Sequence, residues 1–212
     1  MLFRSKWPIV FAGLLLDDAD MRMPTKSWPS ARFQEDDQTA MLPVTFQDKI
    51  LETTWNGAKV YFVGHTIQSD GGKRGQWEDG KGPIDLVNPK DWPRPGAKSL
   101  ASEGYRTSNT SSAWVAQALA MRLMHAEPHW AHDAFFAYVD RWMTEDDTKL
   151  VQLQKENGRR DITTKKFGEW PRQGSVSGRG ALWVAELWKQ HRNNIPVGKD
   201  GAKTPPAEAT WK

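Results

Sequence analysis

Two neighbouring segments with strongly apolar helical patterns constrain the fold of this 212-residue chain more than any other feature. The first predicted helix begins near Thr110 or Ser111, either of which can cap a helix, and runs to about Ala126. The second covers roughly Trp130 to Thr144, where apolar residues recur at the spacing of one helical face. Pro128 lies in the short link between them, and a short link makes two helices antiparallel neighbours. The sequence therefore predicts a helical hairpin.

Further segments extend this helical prediction. Pro8 to Leu16 is apolar on all sides, so we expect a first helix that neighbouring elements cover. Ala181 to Arg192 predicts a last helix, and Lys59 to Ile67 is the best strand candidate because it is rich in β-branched and aromatic residues. Met41 to Leu51 could form a short helix or strand, and Ser69 to Gly96 is a long loop. The predicted fold class is mainly α, with antiparallel helical hairpins and one long loop and strand insertion.

The domain prediction is a single helical domain over residues 1–192, followed by an extended C-terminal tail over residues 193–212. The chain begins abruptly on core-like residues, which suggests the tail of a longer protein. Arg4 and Lys6 followed by apolar residues imitate a signal peptide, but Asp17 and Asp18 stand where a small-residue cleavage site would be.

Composition excludes several classes of function. Cysteine is absent, which rules out disulfides, Cys-zinc sites and thiol catalysis. The net charge of +3 comes from mixed signs without a basic block, so we expect no nucleic-acid partner. No apolar run approaches the roughly 20 residues that span a bilayer, so we expect no membrane partner.

The sequence predicts neither a metal site nor a cofactor. His125, His129 and His132 lie close together, but no HExxH pattern is present, and we expect these residues to cap or line a helix junction. Nucleophile-elbow, P-loop and dinucleotide-binding motifs are also absent.

Tryptophan is the compositional outlier, with 12 residues against 3 tyrosines. A Trp ring offers a flat apolar face with one donor at its edge, which suits stacking on a pyranose ring. Several Trp residues stand in predicted loops, although filling a core is the ordinary role of Trp. The candidate substrate-binding residues are Trp77, Trp92, Glu103 and Trp114.

The candidate catalytic constellation is Tyr105, Arg106 and Asn109, with His65 recruited from a distance. β-Elimination of an acidic sugar polymer needs neutralisation of a uronate carboxylate, a base for the C5 proton and an acid for the leaving oxygen. Asn or Arg can serve the first need, His or Tyr the second, and Tyr the third. The alternative is that Tyr105 and Arg106 pack and pair at a helix entrance.

A second candidate is the acidic group Glu35 and Asp36, which could act as general acid or base facing a cleft. With Glu103 as the other carboxylate, either residue would suit glycoside hydrolysis. The alternative is a helix N-terminal turn, where carboxylates oppose the positive end of the helix dipole.

Three runs of residues resemble a known family: Lys6 to Gly13, Glu35 to Thr39, and Tyr105 to Met143. They are similar to bacterial proteins that resemble the C-terminal part of (α/α)-toroid polysaccharide lyases and six-hairpin glycosidases. The similarity covers most of residues 5–192 without a catalytic signature. It implies a ring of helical hairpins with the site in its central cleft. This chain has too few helices for a full ring, so an incomplete toroid would need a missing segment or a second copy, which makes a homo-oligomer possible.

The sequence thus leaves three hypotheses open. The first is an enzyme acting on a polysaccharide or oligosaccharide, by elimination or by hydrolysis, in an extracellular or periplasmic location. The second is a non-catalytic carbohydrate-binding module whose Trp-lined loops hold a glycan. The third is a truncated reading frame, which predicts an exposed apolar face on the Pro8 to Leu16 helix.

Overall fold

The structure of the protein, a computed structural model, describes residues 2–3, 5–64, 83–91, 106, 110–145, 152, 156 and 182–192. The α-helices of this part are α1 (Trp7–Leu16), α2 (Ala19–Arg22), α3 (Pro24–Ser27), α4 (Gln34–Asp37), α5 (Ser111–Leu123), α6 (Glu127–Trp130), α7 (Asp133–Thr144) and α8 (Leu182–His191). The strands are β1 (Leu2–Phe3), β2 (Arg32–Phe33), β3 (Thr39–Met41), β4 (Val44–Phe46), β5 (Lys49–Leu51) and β6 (Val60–Phe62). Two short 3-10 helices cover Ile84–Leu86 and Pro89–Asp91.

The core lies where α5 packs against α7 and α8, and where α7 packs against β3 and β6. Ala118 on α5 and Val139 on α7 are fully buried, and Val184 on α8 and Phe62 on β6 belong to the same apolar cluster. The packing of α5 against α7 confirms that the two central helices are neighbours. The predicted stripe began at Ala131, which is exposed and lies between α6 and α7 with φ 54°. The other members of the stripe are buried on α7: Ala134, Phe135, Tyr138, Val139, Trp142 and Met143.

The strands pair two by two. β3 and β6 are antiparallel, with Thr39 opposite Phe62, and Leu2 of β1 lies opposite Arg32 of β2 in a parallel pair. β4 and β5 form a hairpin whose turn residues, Gln47 and Asp48, have φ values of 50° and 60°. Positive φ at both turn residues matches the right-handed twist of the flanking strands.

Helix α1 has the predicted bounds but not the predicted burial. Pro8 lies in its first turn, and Val10 and Gly13 are buried. Leu15 and Leu16, however, are 67% and 71% exposed, so the expectation that neighbours cover this helix on all sides is wrong within the described residues. An apolar helix is expected to pack against neighbouring elements. Within the described residues, only the face of α1 that holds Val10 and Gly13 is buried.

The prediction of a mainly α, incomplete (α/α) toroid is also wrong. Strands β3 to β6 form small antiparallel sheets beside the helices, and no ring of helical hairpins is present in the described residues. Only α1, α5, α7 and α8 reach ten residues there, whereas α2, α3, α4 and α6 are single turns. Helical periodicity predicted the individual helices but contained no information on a closed ring.

None of the described helices combines the length and the apolarity that crossing a bilayer demands. The predicted C-terminal tail, residues 193–212, lies outside the described residues.

Candidate functional site

Two buried networks of charged side chains stand out in the described structure. The first, which we call the carboxylate cluster, consists of Lys6, Glu35, Asp36, Trp130 and His132. The second, the Asp85 hub, consists of Phe62, Asp85, Arg106 and Arg141. Each contains residues that the sequence singled out as catalytic candidates.

The carboxylate cluster forms where the residue before α1 meets α4 and α6. The backbone N–H of Lys6 donates to both carboxylate oxygens of Glu35, at 3.2 and 3.3 Å. The Nζ of Lys6 donates to Asp36 Oδ2 at 2.6 Å and also to the carbonyl oxygen of Trp130. Trp130 Nε1 donates to Asp36 Oδ1 at 3.1 Å. One lysine thus joins three elements that are distant in the sequence.

Burial decides the protonation of Glu35, which is 1% exposed. Loss of hydration raises its pKa to about 7, against the opposing hydrogen bonds from Ser5 and from the Lys6 backbone. Burial also raises the pKa of Asp36, although the Lys6 ammonium opposes the shift. The same burial lowers the pKa of Lys6. Glu35 is therefore a carboxyl group that can hold or release a proton near neutral pH.

His132 borders this cluster at the junction of α6 and α7, where a histidine was expected to line a helix junction. Its Nε2 lies 3.0 Å from Thr39 Oγ1 and 3.0 Å from the Thr39 carbonyl oxygen. The electrostatic interaction with His132 also opposes the rise in the pKa of Asp36 that burial causes. Among the described residues, no group of three His, Asp or Glu side chains has the arrangement of a metal site.

The Asp85 hub is organised around one carboxylate that is 1% exposed. The backbone N–H of Phe62 donates to Asp85 Oδ2 at 2.8 Å, and Arg106 Nη1 donates to Oδ1 at 2.7 Å. Arg141 adds bonds of 2.8 Å from Nη1 to Oδ2 and 3.3 Å from Nη2 to Oδ1. The carboxylate therefore connects strand β6, the segment at Arg106 and helix α7.

The two guanidinium groups keep Asp85 ionised. Burial alone would raise the pKa of Asp85, but the charges of Arg141 and Arg106 and the hydrogen bond from Phe62 hold it well below its usual range. Arg141 also donates to the carbonyl oxygen of Val60 at 2.8 Å and pairs with Glu145 at 3.0 Å. The hub is thus a compensated set of buried charges.

Four of the predicted site residues lie in the described part of the chain. Glu35 and Asp36 both belong to the carboxylate cluster, on the single turn α4, so the alternative of an acidic helix N-terminal turn describes their local structure. With Glu35 enclosed, an open cleft facing this carboxyl is not seen among the described residues. Arg106 is 1% exposed and belongs to the hub, where Asp85 compensates its charge.

Trp114, a predicted substrate contact, lies in the core. It is 4% exposed, and its ring is surrounded by those of Phe62, Phe135 and Tyr138 at centroid distances of 6.1, 5.9 and 5.8 Å. This position gives Trp114 a packing role. The remaining candidates lie outside the described residues: His65, Trp77, Trp92, Glu103, Tyr105 and Asn109.

Sequence reasoning missed Lys6, Asp85 and Arg141. Asp85 did leave a signal, because it stands between Ile84 and Leu86 after Pro83, and an acid in an apolar run usually has a buried partner. Arg141 lies beside the apolar stripe of α7 and offered a similar hint. Lys6 offered none beyond its place before Trp7.

Comparison with models of protein families, with curated proteins and with solved structures gives no match for this chain.

Proposed function

We propose that the protein acts on an acidic polysaccharide by β-elimination. The observation that carries this proposal is the double attachment of Asp85, which bonds Phe62 at the end of β6 and also Arg106. The guanidinium carbon of Arg106 lies 6.0 Å from the centre of the Phe62 ring, so the two segments are in contact.

This contact matters because the candidate acid, Tyr105, and the candidate base, His65, lie close in the sequence to Arg106 and Phe62, respectively. Tyr105 is bonded to Arg106, Asn109 comes three residues later, and His65 comes three residues after Phe62. Phe62 and Arg106, which are distant in the sequence, bond one buried carboxylate, and the nearness of the candidate base and acid to them in the sequence supports the proposal.

The proposed chemistry divides the roles among these residues. The Asn109 amide neutralises the uronate carboxylate, which makes the C5 proton acidic, and the His65 imidazole takes that proton. The C5 electron pair forms the C4=C5 double bond as the C4–O bond breaks, and the Tyr105 hydroxyl gives its proton to the leaving oxygen. Arg106 is a positioning residue, because its charge is already compensated by Asp85.

Tryptophan content supports a glycan as the substrate. Trp77 and Trp92 would stack on sugar rings, as the sequence predicted. An extracellular or periplasmic location belongs to the same proposal, because acidic polysaccharides of this kind lie outside the cytoplasm.

The test is incubation with a panel of uronate polymers while ultraviolet absorbance of the unsaturated product and release of reducing ends are both followed. We expect both signals to rise together. Tyr105→Phe should reduce the rate by roughly 100-fold or more, because it removes the acid. Tyr61→Phe, a matched change in β6, should leave the rate unchanged. Absence of an absorbance rise on every uronate polymer contradicts the proposal.

Glycoside hydrolysis is the second candidate, favoured by the pKa of about 7 at Glu35. A carboxyl group that keeps its proton near neutrality is what a general acid in this reaction requires. In that case reducing ends appear without unsaturated product, and Glu35→Gln abolishes their release. Retention of glycan without any turnover, lost in Trp77→Ala and Trp92→Ala, indicates a binding module instead.

A further inference from the structure

An open groove of about 400 Å³ lies between the β4–β5 hairpin and the segment of the two 3-10 helices. The residues on which its chemistry depends are Phe46, Gln47, Lys49, Leu86, Asn88 and Asp91. The volume lies within the range of about 300–1,000 Å³ that is typical of small-molecule sites. The groove shares no lining residue with the carboxylate cluster or with the Asp85 hub.

One wall is the tip of the hairpin. Phe46 and Lys49 are directly opposed partners in the β4–β5 ladder, so their side chains leave the same face of the hairpin. The two-residue turn at Gln47 and Asp48 fixes this register. An aromatic ring and an ammonium group are thereby held side by side at the groove.

The other wall is tied to the Asp85 hub. Leu86 follows Asp85 directly, and its N–H donates to the Pro83 carbonyl oxygen at 3.0 Å. Asn88 Oδ1 accepts from the Lys90 N–H at 3.1 Å, which fixes the amide and leaves its Nδ2 donor for another partner. Asp91 is exposed at the end of the second 3-10 helix. The polar groups of this wall are thus held on ordered backbone.

The charged groups of the groove make no ion pair with the described residues: Lys49 and Asp91 take part in no salt bridge there. The groove therefore offers an ammonium, a carboxylate, two amides and an aromatic face to one ligand. A ligand that matches all of them has an apolar C–H face, several hydroxyls and one carboxylate.

We propose that this groove binds one uronate unit of an acidic glycan. The Phe46 ring packs under the C–H face of the sugar, and the Lys49 ammonium binds its carboxylate. The amides of Gln47 and Asn88 and the carboxylate of Asp91 bind hydroxyl groups. The choice of a uronate rests on the proposed function, whereas binding itself is measurable without turnover.

The experiment is an NMR titration of the full chain with glucuronate, galacturonate and a trisaccharide of each, with glucose as the uncharged comparison. We expect shifts of the amides of the hairpin and of residues 86–91. Lys49→Met should weaken uronate binding roughly tenfold and leave glucose binding unchanged, because it removes only the charge-assisted bond. Phe46→Leu should weaken binding of both sugars, and Lys26→Met, an exposed lysine outside the groove, should change neither.

Two outcomes overturn the proposal: no shift at these amides with any uronate, or equal uronate affinity of the wild-type protein and Lys49→Met. The turnover assay separates this result from a failure of the proposed function. Binding without turnover retains the groove and rejects elimination, whereas turnover without shifts at the groove rejects the groove alone.

Discussion

Glu35 shows how a single buried residue links packing to pH. Its carboxyl accepts two bonds from the Lys6 backbone, yet burial raises its pKa from the ordinary 4.5 to about 7. Between these two values the folded protein keeps a proton that the unfolded chain has lost. The free energy of unfolding is therefore higher at the acidic end of this range and falls as pH rises towards 7.

We predict that Glu35→Gln removes this pH dependence. For the wild-type protein, Glu35 should lower the free energy of unfolding by about 3 kcal/mol as pH rises from 4.5 to 7, whereas the neutral amide does not titrate. Urea unfolding followed by tryptophan fluorescence at several pH values measures the difference between the two proteins. Glu52→Gln, an exposed carboxyl, is the control and should keep the wild-type slope. Identical slopes for the wild-type protein and Glu35→Gln would refute the assignment.

For individual residues, the sequence predicted part of the candidate site but not the contacts that its members make. Glu35 and Asp36 were recognised because three acidic residues in a row are conspicuous, and the alternative of a helical turn was correct for their backbone. Their partner Lys6 lies 29 and 30 residues away in the sequence. A contact of that kind is created by tertiary folding, and no local pattern could predict it.

At the scale of elements, the strongest periodic pattern gave the best prediction. The stripe predicted most of the buried face of α7, because one helical face has one consistent spacing. Ala131 is the exception, since it is exposed and precedes the helix. The sequence did not decide whether the segment of β4 and β5 forms a helix or a strand, because its turn, Gln47-Asp48, lacks the glycine that usually marks hairpin turns. The predicted strand over Lys59 to Ile67 is ordered as a strand only from Val60 to Phe62 within the described residues.

The approach of α1 to α2 depends on the absence of a side chain at Gly13. A Cβ at this position would lie 2.4 Å from Arg22 N and 2.6 Å from the Met21 carbonyl carbon. Both are backbone atoms and cannot swing aside, so α2 must move.

We therefore predict that Gly13→Ala destabilises the protein by about 1–3 kcal/mol despite the better helix propensity of alanine. Chemical denaturation measures this loss. Leu15→Ala in the same helix is the control, because Leu15 is 67% exposed and should contribute little. Equal stability of Gly13→Ala and the wild-type protein would show that the two helices do not meet at this point.

At the scale of the whole molecule, the sequence predicted the central helical hairpin but not the architecture. Apolar stripes predicted which segments become helices, whereas the closed ring came from a resemblance and not from any pattern in the residues. The described structure instead joins helices and short strands through buried charges. Asp85 is the main example, because it connects β6, Arg106 and α7. It lies in a three-residue 3-10 helix, which is too short to be predicted from a periodic pattern.

The exposed apolar side chains of α1 belong to this scale as well. Phe11, Leu15 and Leu16 are 37%, 67% and 71% exposed in the described structure. Phe11 and Leu15 are four residues apart and therefore share one face of α1. A homo-oligomer therefore stays a prediction, which sedimentation of the full chain can examine.

The central claim is that Asp85 and Arg106 form a buried pair that ties Arg106 to strand β6. A double-mutant cycle of Asp85→Asn and Arg106→Gln, measured by denaturant unfolding, tests it most directly. We predict that each single change costs about 3–5 kcal/mol and that the pair shows a coupling of about 1–3 kcal/mol. The exposed pair Lys189 and Glu186, with side chains 73% and 64% exposed, serves as the reference and should show a coupling below about 0.5 kcal/mol. A coupling for Asp85 and Arg106 no larger than that of this surface pair would contradict the account.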